Sequence, residues 1–182
     1  MITYILIGTI ALLLVYMIVI YNSFIRLTNK VKEAFATMDV FLKKRWDLIP
    51  NIVSSVKGYA QHEKEAFENI TKLRTGSYDG MTQSDKIETN EKLTAGISKL
   101  MVVAESYPDL KANQIFLDLS KQLSKVEDDI AFARKYYNAV VKNMNNAVEM
   151  FPSNIIASIF GFKQMKMYEA FQSEREVVSV QI

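Results

Sequence analysis

Apolar residues run without interruption through ITYILIGTIALLLVYMIVIY, Ile2 to Tyr21, and only after it do polar positions begin to alternate with apolar ones. The run holds no charge. Twenty residues at 1.5 Å rise make roughly 30 Å of helix, the thickness of a bilayer's hydrocarbon layer. Tyr4, Tyr16 and Tyr21 lie near where interfacial aromatics sit. A cleaved signal peptide needs a basic start, a shorter apolar core and a small-residue cleavage site. Nothing basic follows Met1, and Tyr21-Asn22-Ser23-Phe24 is a poor site. Nothing polar interrupts the run, as it would in a core helix. The pattern predicts a retained transmembrane helix over residues 1–21.

Beyond it the period changes. Phe24, Leu27, Val31, Ala34, Met38 and Phe41 step by threes and fours, and the stripe resumes as Ile49, Ile52, Val56, Tyr59, Glu63, Ala66, Ile70 and Leu73. This is the spacing of a helix that lays one face against other helices. Pro50 interrupts it. Proline removes a backbone hydrogen bond and clashes with the carbonyl four residues back, at a cost of about 3 kcal/mol inside a helix. Asp47 offers a new N-cap three residues earlier. The pair Asp47 and Pro50 therefore predicts a kink or short break. Gly76-Ser77-Tyr78-Asp79-Gly80 reads as a loop.

A second helix is predicted from about Ser84 to Ser106, with Ile87, Leu93, Ile97, Leu100 and Ala104 on one face and Pro108-Asp109 closing it. The third is the clearest. Phe116, Leu119, Leu123, Val126, Ile130, Ala133, Tyr137, Val140 and Met144 keep the heptad step with no glycine or proline among them. Phe151-Pro152 ends it, and a fourth helix is predicted from about Asn154 to Ser173. Its front half, IIASIFGF, is apolar on most sides. Such a helix is either buried or covered by a partner or a membrane. No strand-like alternation survives. The fold class is all-α: a transmembrane helix, then a four-helix-bundle-like domain of long helices over 22–174 and a tail over 175–182.

Composition narrows the chemistry. The 182 residues suit one domain, and the charge of +2 all lies outside the span. That is too weak and too scattered for a strong nucleic-acid binder. Arg26, Lys30 and Lys32 follow the span and nothing basic precedes it, so the positive-inside rule places the body in the cytoplasm. The chain has no cysteine and one histidine. His62-Glu63 lacks the second histidine of a zincin helix, because position 66 is Ala66. Carboxylate-bridged metal bundles need two Glu-x-x-His motifs, so no metal or cofactor site is expected. No serine nucleophile motif or phosphate loop is present, and no small-molecule substrate is evident. His62 reads as a structural histidine. Lys43-Lys44-Arg45 lies about 33 Å beyond the bilayer edge if the helix continues, well past the Debye length. It reads as a solvated face or as partners for acids on neighbouring helices. Asp39 and Arg134 sit close to apolar stripes and are expected to form a buried pair that fixes helix alignment.

Three stretches carry a likeness. YNSFIRLTNKVKEAFATMDVFLKKRWDLIPNIVSSVKGYAQHE, YPDLKANQIFLDLSKQLSKVEDDIAFARKYYNAVV and FPSNIIASIFGF resemble, in order, the LemA family. The resemblance covers Tyr21 to about Glu174. It implies a bacterial membrane protein with a bundle-like domain and no established catalytic activity. The family's relatives are linked to envelope functions, some accompany membrane proteases, and one branch belongs to magnetosome formation. Trp46 departs from the family's usual polar residue after the basic cluster, so a contact there would be apolar.

The expectation is a single-pass protein of the bacterial inner membrane, held in the bilayer by residues 2–21, that acts as a non-enzymatic scaffold or adaptor. Ile155, Ile159, Phe160 and Phe162 are its expected surface for a protein partner or for self-association. The alternative is a sensory domain whose moving element is the Pro50 kink.

Overall fold

The computed structural model describes residues 1–59, 64–74 and 76–168. His62, the stripe position Glu63, and the chain from 169 onward, including the expected tail over 175–182, lie outside the described residues. Six α-helices are seen among the described residues: α1 Ile2–Lys57, α2 Lys64–Leu73, α3 Gln83–Glu105, α4 Pro108–Lys111, α5 Gln114–Glu149 and α6 Ser153–Phe160. A 3₁₀ turn lies at Tyr78–Gly80. No strand occurs among the described residues, and the fold is all-α.

The helices begin and end where backbone chemistry dictates. Thr82 caps α3: its hydroxyl accepts from the Asp85 amide while the Asp85 carboxylate accepts from the Thr82 amide. This reciprocal box satisfies two donors that a helix start leaves orphaned. Pro108 opens α4 from its first turn, where its missing amide is harmless. Gly161 ends α6 at φ 74°, a left-handed conformation that suits glycine, and the amides of Gly161 and Phe162 both donate to the Ala157 carbonyl. The fourth helix therefore stops at Phe160, where the sequence pattern had carried it to Ser173.

Helix α1 runs through Pro50 unbroken, and the first interruption comes after Lys57. Asp47 does not cap a new helix here. Its carboxylate takes the Lys43 ammonium one turn back, at 2.7 Å.

Two compact units share α1 and α5. The first comprises Met1–Met38 with Ala133–Tyr168, and the second is built from Asp39–Phe132. In the first unit α1 and α5 are antiparallel. The Phe35 and Tyr137 rings meet edge-on at 6.1 Å, and Phe24 shares a cleft of about 180 Å³ with Ala147, near the end of α5. Phe24, Val31, Ala34, Ala133, Tyr137, Val140, Val141 and Met144 make its core. After α6 the chain is extended over 162–168 and returns along α5. Asn145 donates to the Met165 carbonyl and accepts from the Met165 amide, at 2.9 and 2.8 Å. Asn138 does the same for Tyr168, at 2.8 Å each way. Seven helical residues rise about 10.5 Å, and three extended residues span about 10 Å. Two asparagines one heptad apart thus read an extended strap at every third residue.

In the second unit Leu42, Ile49, Ile52, Val56, Ile70, Leu93, Ile97, Leu100, Phe116, Leu123, Val126 and Ile130 are buried. Gly96 lets α2 approach α3: a Cβ there would fall 2.8 Å from Ile70 Cγ1.

Candidate functional site

The N-terminal part of α1 is long and apolar enough to cross a membrane, and none of that segment is buried against protein. Near its end the first unit gathers aromatic rings. Phe160 lies 4.8 Å from Tyr21, and Phe162 lies 5.8 Å from Tyr21 and stacks on Phe24 at 4.6 Å and 14°. Ser153, at the other end of α6, lines the cleft formed by Ile20, Ser23, Phe24, Leu27 and Ala147. Both ends of α6 therefore rest on the two turns of α1 that follow the span.

Helix α6 divides sharply. Ile156 and Ala157 are buried, whereas Ile155, Ile159 and Phe160 are about half exposed or more. Met150 and Phe151, in the turn before it, are also open, Phe151 at 78%. The four residues expected to make a surface thus separate: Ile155, Ile159 and Phe160 face outward, while Phe162 spends its ring on Phe24 and Tyr21.

The second unit holds a buried polar cluster. Arg45 is 1% exposed. Its Nη1 donates to Thr94 Oγ1 and to both carboxylate oxygens of Glu127, each at 2.9 Å. Nη2 donates to the Asn90 carbonyl at 2.6 Å and to Asn90 Oδ1 at 3.0 Å, and Nε reaches Asn90 Oδ1 at 3.3 Å. The fork of guanidinium donors thereby joins α1, α3 and α5. Of the basic cluster read as a solvated face or as partners for acids, Lys43 stays near the surface with Asp47, and Arg45 turns inward to Glu127. A signal for this exists in the sequence. Met38, Leu42, Arg45, Ile49, Ile52 and Val56 step 4, 3, 4, 3, 4, so Arg45 occupies a stripe position. Asn90, Leu93, Ile97, Leu100 and Ala104 give Asn90 the same standing on α3.

Asp39 and Arg134, expected as a buried pair, fall in different units. Asp39 accepts from the Tyr78 hydroxyl and from Lys86 Nζ, both at 2.7 Å. The Arg134 guanidinium lies 4.1 Å from the centre of the Tyr168 ring. Burial pushes the Tyr78 phenol far above its ordinary value, and the hydrogen bond and charge of Asp39 push it the same way. Tyr78 stays a donor throughout the neutral range. Trp46 is buried beside it, ring centres 5.4 Å apart, and the Arg74 guanidinium lies 4.9 Å from the Trp46 ring centre. The contact at Trp46 is thus aromatic and cationic, where its identity had suggested an apolar one. Among the described residues, no three histidine, aspartate or glutamate side chains converge as metal ligands would.

An all-helical protein whose first helix carries a span-length apolar segment into its body is the class these features define. The chain belongs to the LemA family, whose model matches residues 34–182. It is 25% identical to Protein LemA of Metamycoplasma hominis over 155 residues, covering 85% of this chain and 71% of that one. It is 23% identical to Magnetosome protein MamQ 2 of Paramagnetospirillum magneticum and 21% identical to Magnetosome protein MamQ of Magnetospirillum gryphiswaldense. Those matches cover 82% and 81% of this chain, and in each the chain spans 64% of the relative's length.

Proposed function

We propose that this protein is a single-pass, membrane-anchored, non-enzymatic scaffold or adaptor for membrane-associated assemblies. The observation that supports this most is α1 itself: an uncharged segment of membrane-spanning length continues in the same helix into residues that pack the body. An anchor of this kind confines the body to a surface, and confinement raises its effective concentration toward other membrane components. The basic residues Arg26, Lys30 and Lys32 support a cytoplasmic body at the inner membrane. The likeness to magnetosome proteins is compatible with a role in organising membrane-bound assemblies. The sensory alternative, with Pro50 as the moving element, gains nothing from a helix that runs through Pro50 unbroken.

Cross-linking in native membranes at natural expression tests the reading. The expected result is a defined adduct, larger than the 20.8 kDa chain, that disappears when residues 2–21 are deleted. Recovery of the uncross-linked chain alone, from membranes in which it is abundant, would refute it.

A further inference from the structure

We propose that the Met150–Phe151 turn and the outer face of α6 insert into the lipid leaflet that the body faces, as a second membrane contact beside the span. The proposal rests on the reading of Ile2–Tyr21 as a bilayer-crossing helix.

Height is the first argument. Phe35 of α1 meets Tyr137 of α5, and eleven residues earlier Phe24 shares a cleft with Ala147, ten residues later. Antiparallel helices keep such a register. Three residues more bring α5 past its end to Met150, level with Tyr21, the last residue of the span. Helix α6 stays at this height, because Ser153 lies in the cleft between Ile20 and Leu27 and Phe160 lies on Tyr21. Ile20 to Leu27 is about 10 Å of helix. The headgroup region on each side of a bilayer is about 5–7.5 Å deep, so this stretch of α1 crosses it, and interfacial helices bury their apolar face about 5–10 Å into its boundary with the acyl chains.

Chemistry is the second. Met150, Phe151, Ile155, Ile159 and Phe160 are all exposed, and they continue the apolar surface of the span through Tyr21. In water this would be an unusual concentration of large apolar side chains. At the span's end the acyl chains already cover the neighbouring surface, so lipid covers it without a further partner. The flanks suit anionic headgroups. Arg26 on α1 and Lys163 and Lys166 on the strap are exposed and lie just past the aromatic cluster. The strap has the length and the fastening to hold α6 down: Phe162 is stacked on Phe24, and Asn145 clamps Met165 three residues later.

The chain's lack of cysteine makes the test direct. The full-length protein is reconstituted in vesicles of phosphatidylcholine and phosphatidylglycerol. An environment-sensitive fluorophore is attached to one cysteine at a time: Leu12→Cys in the span, Ile159→Cys on α6, or Asp79→Cys in the second unit. Quenching is read with lipids carrying a spin label shallow or deep in the acyl chain, and with aqueous iodide. The expected result is deep quenching at Leu12, shallow-label quenching with at least a several-fold loss of iodide access at Ile159, and free iodide access at Asp79. Iodide access at Ile159 equal to that at Asp79, with Leu12 quenched by lipid, overturns the inference and leaves the anchor intact. Shielding of Ile159 from iodide without lipid quenching, lost on dilution of the protein in the vesicles, assigns the face to a second copy and also overturns it. Failure of lipid to quench Leu12 overturns the anchor, and the inference with it.

Discussion

Replacing Arg45 by methionine removes a guanidinium whose donors are all engaged inside the second unit. Methionine fills much of the same volume and adds no polar atom. The loss is therefore set by what the acceptors do next. Glu127 is about one-third exposed and recovers part of its hydration. Asn90 is fully buried, and its Oδ1 accepts two of the Arg45 bonds. The Asn90 carbonyl retains a bond from the Thr94 hydroxyl. Breaking a buried ion pair from one side costs about 3–5 kcal/mol, and a buried acceptor left unpaired costs about 1–3 kcal/mol. The hydration regained by Glu127 brings the expected total to about 3 kcal/mol. Trp46, the single tryptophan, is buried in the next residue and reports unfolding by its fluorescence. With a urea dependence of about 2 kcal/mol per molar, the midpoint falls by about 1.5 M. Arg45→Lys keeps the charge but not the planar fork, and recovers less than half of the loss. A midpoint shift below about 0.5 M for Arg45→Met, or full recovery by Arg45→Lys, would refute the assignment of stability to the forked hydrogen bonds.

Three other contacts respond to substitution in the same way. Asn145→Ala removes both bonds to Met165 and should cost about 1–2 kcal/mol, read as roughly tenfold faster hydrogen exchange at the Met165 amide with little change at Leu93; unchanged exchange at Met165 would count against the strap's fastening. Gly161→Ala places a side chain in a left-handed conformation and should cost about 1 kcal/mol, while Gly80→Ala, in open space, should cost less; equal effects would remove the argument from conformation. The folded state holds the Tyr78 proton more tightly than the unfolded chain does, so its stabilising contribution is complete below about pH 10 and is lost as pH rises beyond that. Unfolding free energy should fall by up to about 1.4 kcal/mol per pH unit there, and Tyr78→Phe should flatten the slope. Parallel pH profiles for the two proteins would contradict it.

Periodicity alone determined that the long segments of α1, α3 and α5 are helical and which face α3 and α5 bury. An uninterrupted apolar run of twenty residues and heptad stripes such as Phe116 to Met144 report burial at every turn, and burial of that regularity needs no knowledge of the neighbour. Some ends were legible as well: Gly161 after an apolar run marks the end of α6 by a local rule, although it was read past. What tertiary structure decided was pairing. Pro50 carries the same local signal in a helix that breaks and in one that does not. Leu42, Trp46, Ile49 and Ile52 are all buried around it, and this packing outweighs the single lost hydrogen bond. Arg45 occupies a stripe position and Asp39 lies beside one, but neither position names a partner. Only the approach of α3, bringing Asn90 and Thr94 to one and Lys86 to the other, assigned their partners. The extended strap is the clearest case. Residues 162–168 have no strong preference against helix, and they stay extended because Asn138 and Asn145, remote in sequence, occupy the backbone groups that a helix would have used. Hydrophobic periodicity is a property of one segment, whereas a hydrogen-bond partner exists only once two segments have met.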